Sequence, residues 1–138
     1  MTTPSVGDAL PTSTIEMTAT RIVAGAIATR DFMPVHHDAR YAQKQGSPDI
    51  FQNILSDTAY CSRFLTDWAG PEAMVRRLSI RLGVSAYPGS TLRFTGTVTG
   101  KSVQGDDRRV EVAFEATNAL GAHISGTCLL YTSPSPRD

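Results

Sequence analysis

One apolar helical segment, followed only by alternating runs, constrains this fold more than any other feature. Phe51, Ile54, Leu55, Thr58, Cys61, Leu65 and Trp68 recur at helical spacing. Ile50, Ala59 and Phe64 widen that face, so the pattern predicts a helix buried on most sides. Ser47-Pro48-Asp49 reads as its start: Ser47 suits the N-cap, Pro48 the first helical position, Asp49 the positive end of the dipole. Gly70-Pro71 ends it. Beyond it, Leu78, Ile80, Leu82 and Val84 alternate with Arg77, Ser79, Arg81 and Ser85. Leu92, Phe94 and Val98 alternate with Arg93, Thr95 and Thr97; Val110, Val112, Phe114 and Ala116 alternate with Arg109, Glu111, Ala113 and Glu115. A fourth strand starts around Ile124. Gln104-Gly105-Asp106-Asp107 and Asn118-Ala119-Leu120-Gly121 read as hairpin turns. Period two with one apolar face predicts an antiparallel sheet that is wet on one side. Wrapped around one helix, such a sheet makes an α+β domain.

Upstream, Thr12 to Thr18 is β-prone, and Ala19 to Ala28 reads as a short helix. The 138 residues suffice for one domain with a real core and no disulfides. Zero net charge argues against nucleic acid or an acidic membrane as partner. Cys61 and Cys128 are too few for a disulfide framework, which points to the cytoplasm. Met1 to Leu10 carries no basic region and no long apolar run, so neither a signal peptide nor a membrane span is expected.

Function is concentrated in Asp31-Phe32-Met33-Pro34-Val35-His36-His37-Asp38. A carboxylate and an imidazole stand five residues apart across a proline. Pro34 lacks a backbone donor and disfavours the helical region for Met33, so the stretch is a bent loop. Both side chains can then aim at one water, as a general acid–base pair does. The bland alternative for a lone Asp and His is a surface turn. The three histidines lack metal-ligand spacing, and there is no glycine-rich phosphate loop, so no metal and no nucleotide cofactor are expected.

The pattern Asp31-x-x-Pro34-x-His36-x-Asp38 resembles the hydratase signature of the MaoC-like hot-dog family. Tyr87-Pro88-Gly89-Ser90-Thr91-Leu92 resembles that family's Pro-Gly-Asp-Thr-Leu strand start, with Ser90 in place of Asp. The resemblance runs from about Val6 to Thr127. Ala28 to Phe32, Val35 to Asp38, Gly46-Ser47, Asp49 to Phe51 and Thr66 to Pro71 look most like one subgroup, the small catalytic subunit of the bacterial steroid side-chain enoyl-CoA hydratase. The resemblance implies a single hot-dog domain, hydration of trans-2-enoyl-CoA by Asp31 and His36, and pairing with a larger MaoC-like subunit or with a second copy. It departs at Met33, where many hydratases carry Asn. Hydration develops negative charge on the thioester oxygen, which backbone amides at a helix N-terminus stabilise. Phe51, Gln52, Asn53 and Ile54 are therefore the candidate substrate-binding residues. Two alternatives stand beside this reading. One is a hot-dog thioesterase recruiting Asp57 or Asn53. The other is a non-catalytic MaoC-like half that only shapes a partner's tunnel.

Other conspicuous residues have structural readings. His37 is expected exposed or supporting. Asp38 is expected to cap Ala39 to Lys44, and His123 to be solvated on the outer face of its strand. Trp68 and Phe51 are expected in the core, with Cys61 as a small buried hydrophobe. Arg76, Arg77 and Arg81 fit a solvated face, and their clustering also permits contact with CoA phosphates. The last eleven residues, Cys128 to Asp138, resemble a translated transposon sequencing adapter. On that reading the domain is residues 1–127, residues 128–138 are not native, and Cys128 carries no meaning.

Overall fold

The computed structural model describes residues 4–132. Among them the chain forms β1 (Ser13–Met17), α1 (Ala19–Ala28), a 3₁₀ turn (Pro34–His36), α2 (Ala39–Lys44), α3 (Ile54–Ala69), β2 (Ala73–Leu82), β3 (Ser90–Gln104), β4 (Asp107–Asn118) and β5 (Gly121–Thr132). The strands make one antiparallel sheet in the order β1-β3-β4-β5-β2. Both tight hairpins fall where the turn residues place them, at Gly105-Asp106 and Ala119-Leu120.

The inner face of the sheet carries Leu92, Phe94, Val98, Val110, Val112, Phe114, Ala116 and Ile124, all buried. α3 packs on this face through Cys61, Phe64 and Leu65, with the Phe64 ring 5.6 Å from Phe94. Burying each Val, Leu, Ile and Phe among them stabilises the fold by roughly 1.5–3 kcal/mol. α1 lies against the start of α3. A Cβ on Gly25 would fall 2.5 Å from Ser56 Oγ, so a side chain there would force Ser56 to shift, and glycine leaves the two helices room for this approach. Gly70 closes α3 at φ 94°, a conformation that favours glycine.

Three expectations are corrected. First, α3 begins at Ile54 with Asn53 as its N-cap, not at Pro48 with Ser47. The preceding backbone is committed elsewhere: Phe51 N–H donates to Val35 O and Gln52 N–H to Ala86 O, which holds the segment extended. Ser47 Oγ instead donates to Asp49 O in a local turn.

Second, α3 is buried on one face rather than on most sides. Ile54 and Leu55 are 48% and 49% exposed, while Ser56 and Asp57 are buried. Cys61 and Leu65 set the helical phase, and one turn back along that stripe is Asp57.

Third, His123 is buried, not solvated. Ala116 pairs with Ile124 but Thr117 with Ala122, so His123 is the extra residue of a β-bulge. The bulge breaks the two-residue alternation and turns the imidazole inward beside Ile124.

β5 continues through residues 128–132, pairing with β2 and β4. Cys128, for which no meaning was expected, is packed in the core beside Leu130. Residues 133–138 lie outside the described residues.

Candidate active site

Helix α1 ends at Ala28 with Thr29 as its C-cap, and Arg30 at φ 57° turns the chain. Asp31 N–H still donates to Ala26 O at 2.9 Å, which anchors the loop to the helix. Met33 is extended, as a residue before proline should be. The 3₁₀ turn that follows carries His36 inward. Its Nδ1 lies 2.7 Å from Phe51 O. A carbonyl can only accept, so Nδ1 carries a proton and donates. That leaves Nε2 pointing at Asp31 Oδ2, 3.4 Å away. The Phe51 ring meets the imidazole edge-on at 5.0 Å and fixes its plane. The Asp31 side chain is 26% exposed and that of His36 10%, so the pair forms a solvent-reachable wall. In a neutral imidazole, Nε2 is a lone pair facing a carboxylate. A water seated to one side of both can donate one hydrogen to each.

The four other candidate residues occupy distinct positions. Phe51 supplies the carbonyl and ring that orient His36. Gln52 is buried, and its side-chain amide has no partner among the described residues. Asn53 is buried with its side chain against Asp31. Ile54 is half exposed at the first turn of α3. The backbone N–H groups of Asn53, Ile54 and Leu55 have no acceptor among the described residues. They form a donor patch at the positive end of the helix.

The remaining conspicuous residues lie apart from this wall. His37 is exposed, with Nε2 3.3 Å from Phe32 O. Asp38 caps α2 through Tyr41 N–H. Trp68 is partly buried against the core, and Cys61 fully so. Burial, with Asp57 nearby, pushes the Cys61 thiol up to about 12, so it is inert. Arg76 stacks over the Tyr131 ring, while Arg77 and Arg81 are exposed on β2. No group of three or more His, Cys, Asp and Glu among the described residues could hold a metal.

A second carboxylate–imidazole pair was not anticipated. His123 Nε2 lies 2.9 Å from Asp57 Oδ1, and His123 Nδ1 donates to Val84 O. Burial alone would lower the His123 pKa. The hydrogen bond and charge of Asp57, helped by Val84 O, outweigh it and hold the imidazole above its ordinary value. The one available signal was Asp57 itself, a carboxylate one turn before Cys61 on the buried stripe.

No family model matches the chain. Its fold aligns with the MaoC-like dehydratase from Rhodospirillum rubrum at a TM-score of 0.82, covering 96% of this chain and 95% of that one at 19% identity. The chain is 44% identical over 122 residues to the 3-oxo-4,17-pregnadiene-20-carboxyl-CoA hydratase beta subunit of Mycobacterium tuberculosis, covering 88% of this chain and 92% of that protein. The chain belongs to the MaoC-like hydratase family. Its fold is accordingly the hot-dog fold. A further MaoC-like relative of solved structure is in the ChsH1-ChsH2 complex from Mycobacterium tuberculosis: TM-score 0.85, 41% identity, 97% of this chain and 100% of that one. Among the described residues of this MaoC-like chain, no helix is long and apolar enough to cross a membrane.

Proposed function

We propose that this chain hydrates trans-2-enoyl-CoA thioesters to 3-hydroxyacyl-CoA, with Asp31 and His36 activating the water. The observation that carries the proposal is the aim of His36: one nitrogen is tied to Phe51 O and the other faces Asp31 at 3.4 Å on an accessible wall. Water held by the pair bonds through oxygen to C3 and leaves a proton on the dyad. The π electrons move through C2 onto the thioester oxygen. The amides of Asn53, Ile54 and Leu55 stabilise that oxygen. The enolate then collapses as C2 takes a proton from the dyad, which returns to its starting state. The two residues act jointly.

The acyl group and partner follow from the relatives. The 44% identical protein is named for a pregnadiene carboxyl-CoA, which supports a bulky, steroid-type acyl group undergoing side-chain β-oxidation. The relative in a ChsH1-ChsH2 complex supports a hetero-oligomer with a larger MaoC-like subunit. Phe32, Met33, Ile54 and Leu55 are exposed beside the dyad, an apolar rim that a partner or acyl chain would cover. The thioesterase alternative is weaker, because Asp57 is fully buried and bonded to His123. We place the protein in the cytoplasm, on its CoA-ester substrate and its free Cys61 thiol.

The test is co-expression with a larger MaoC-like subunit, followed by an assay on a steroid enoyl-CoA. Loss of the conjugated-thioester absorbance without release of free CoA is expected. Release of free thiol would favour hydrolysis, and no turnover would overturn the proposal.

A further inference from the structure

Asn53 is 1% exposed, yet both polar atoms of its side chain are used. Its Nδ2 donates to Asp31 Oδ2 at 3.1 Å and to Thr29 Oγ1 at 2.9 Å, while Oδ1 accepts from Ser56 N–H at 3.4 Å. The Thr29 hydroxyl proton goes to Gly25 O at 2.8 Å, so its oxygen has a lone pair left for Asn53. This network fixes which way the amide points. The reverse orientation would set a carbonyl oxygen against a carboxylate and an NH2 group against the N–H of Ser56.

Asp31 is partly exposed, on a loop, with two rotatable side-chain bonds. Nothing else among the described residues donates to Oδ2, apart from His36 when its Nε2 is protonated. We propose that Asn53 is the positioning residue of the dyad. Its buried amide clamps Asp31 Oδ2 in register with His36, and through the same side chain ties that carboxylate to the N-cap of α3. The water-activating group and the amides that receive the thioester oxygen are thereby held by one residue. A buried amide serving two anchors is stiffer than a solvated carboxylate alone, and reacting groups displaced by about 1 Å can lose ~100-fold in rate. Asn53 itself need not touch the substrate through its side chain.

This proposal rests on the hydratase reading. Asn53→Ser keeps a capping oxygen but is too short to clamp Asp31. Asn53→Asp keeps cap and shape but sets a second carboxylate against the first. In the co-expressed complex, Asn53→Ser is expected to lower kcat ~10–100-fold, with KM within about threefold and melting temperature nearly unchanged. Asn53→Asp is expected to move the acid limb of the kcat profile upward by about one pH unit or more, because adjacent carboxylates disfavour ionisation. In an Asp31→Asn background, Asn53→Ser should cost little further. If Asn53→Ser fails to fold, the Asn53→Asp profile decides. A kcat within twofold of wild type, or a change confined to KM, would overturn the proposal, as would an unmoved acid limb. Inactive wild-type complex would instead refute the hydratase reading. The clamp is then read from crystal structures: Asp31 should swing away from His36 in Asn53→Ser, and an unmoved carboxylate overturns it.

Discussion

Two Asp–His pairs meet the start of α3, one at its N-cap through Asn53 and one in its first turn at Asp57, and they differ in almost every respect. Asp31 and His36 are five residues apart, on a loop, 3.4 Å from one another and partly exposed. Asp57 and His123 are 66 residues apart, join the helix to a strand bulge at 2.9 Å, and are almost wholly buried. In the first pair the imidazole Nε2 and the carboxylate meet on a wall that solvent reaches, as proton transfer to a substrate requires. The second spends both imidazole nitrogens on internal acceptors and offers nothing to a substrate. The same two residue types thus make a reactive wall or a structural pin, according to what surrounds them. A buried ion pair whose partners are both present is close to neutral energetically, but losing one leaves an uncompensated polar group.

The largest expected effect probes the pin. His123→Ala should destabilise the fold by ~3–5 kcal/mol, measured by urea unfolding, because Asp57 would be left buried without a partner. The double change Asp57→Leu with His123→Phe should recover much of that loss. A His123→Ala protein of near wild-type stability would show that the pin carries nothing. Next comes the wall. Asp31→Asn or His36→Ala should each lower hydration by ~100-fold or more, with the protein still folded. Near-normal rates in folded Asp31→Asn would erase the contrast between the pairs.

A smaller effect is in the pH dependence. His123 has a raised folded pKa, so its protonation binds more tightly in the native state. That contribution is complete below the unfolded value of about 6.5 and is lost as pH rises through the folded value. Thermal stability of the wild type should therefore decline with rising pH in a way that Asp57→Leu/His123→Phe does not. Parallel curves would mean that the pair does not titrate.

The smallest effect concerns the C-terminus. Residues 128–132 complete β5, and 133–138 lie outside the described residues. Deleting 133–138, with its two prolines, should change stability by no more than ~0.5 kcal/mol. Cutting after Thr127 should cost several-fold more, because Leu130 fills the core whatever its origin. A large loss on deleting only 133–138 would tie that segment to the fold.

What the sequence determined by itself is what short-range patterns encode. The period of the strands, the two hairpin turns, the Asp38 cap, the end of α3 at Gly70 and the Asp31–His36 loop each depend on residues within a few positions of one another. The family resemblance added the chemistry to that loop. The tertiary structure decided what depends on hydrogen bonds between distant segments. Val35 and Ala86 hold Phe51 and Gln52 extended and delay α3 to Ile54. Cys61 and Leu65, seated on the sheet, rotate Asp57 inward and leave Ile54 and Leu55 outside. A bulge opposite Ala116 and Thr117 turns His123 into the core. Asn53 grips Asp31 across 22 residues of chain, from the N-cap of α3 to the loop after α1. Periodicity reports which face a residue shares with its sequence neighbours. It carries no information on which distant donor or acceptor will claim that residue once the chain has closed.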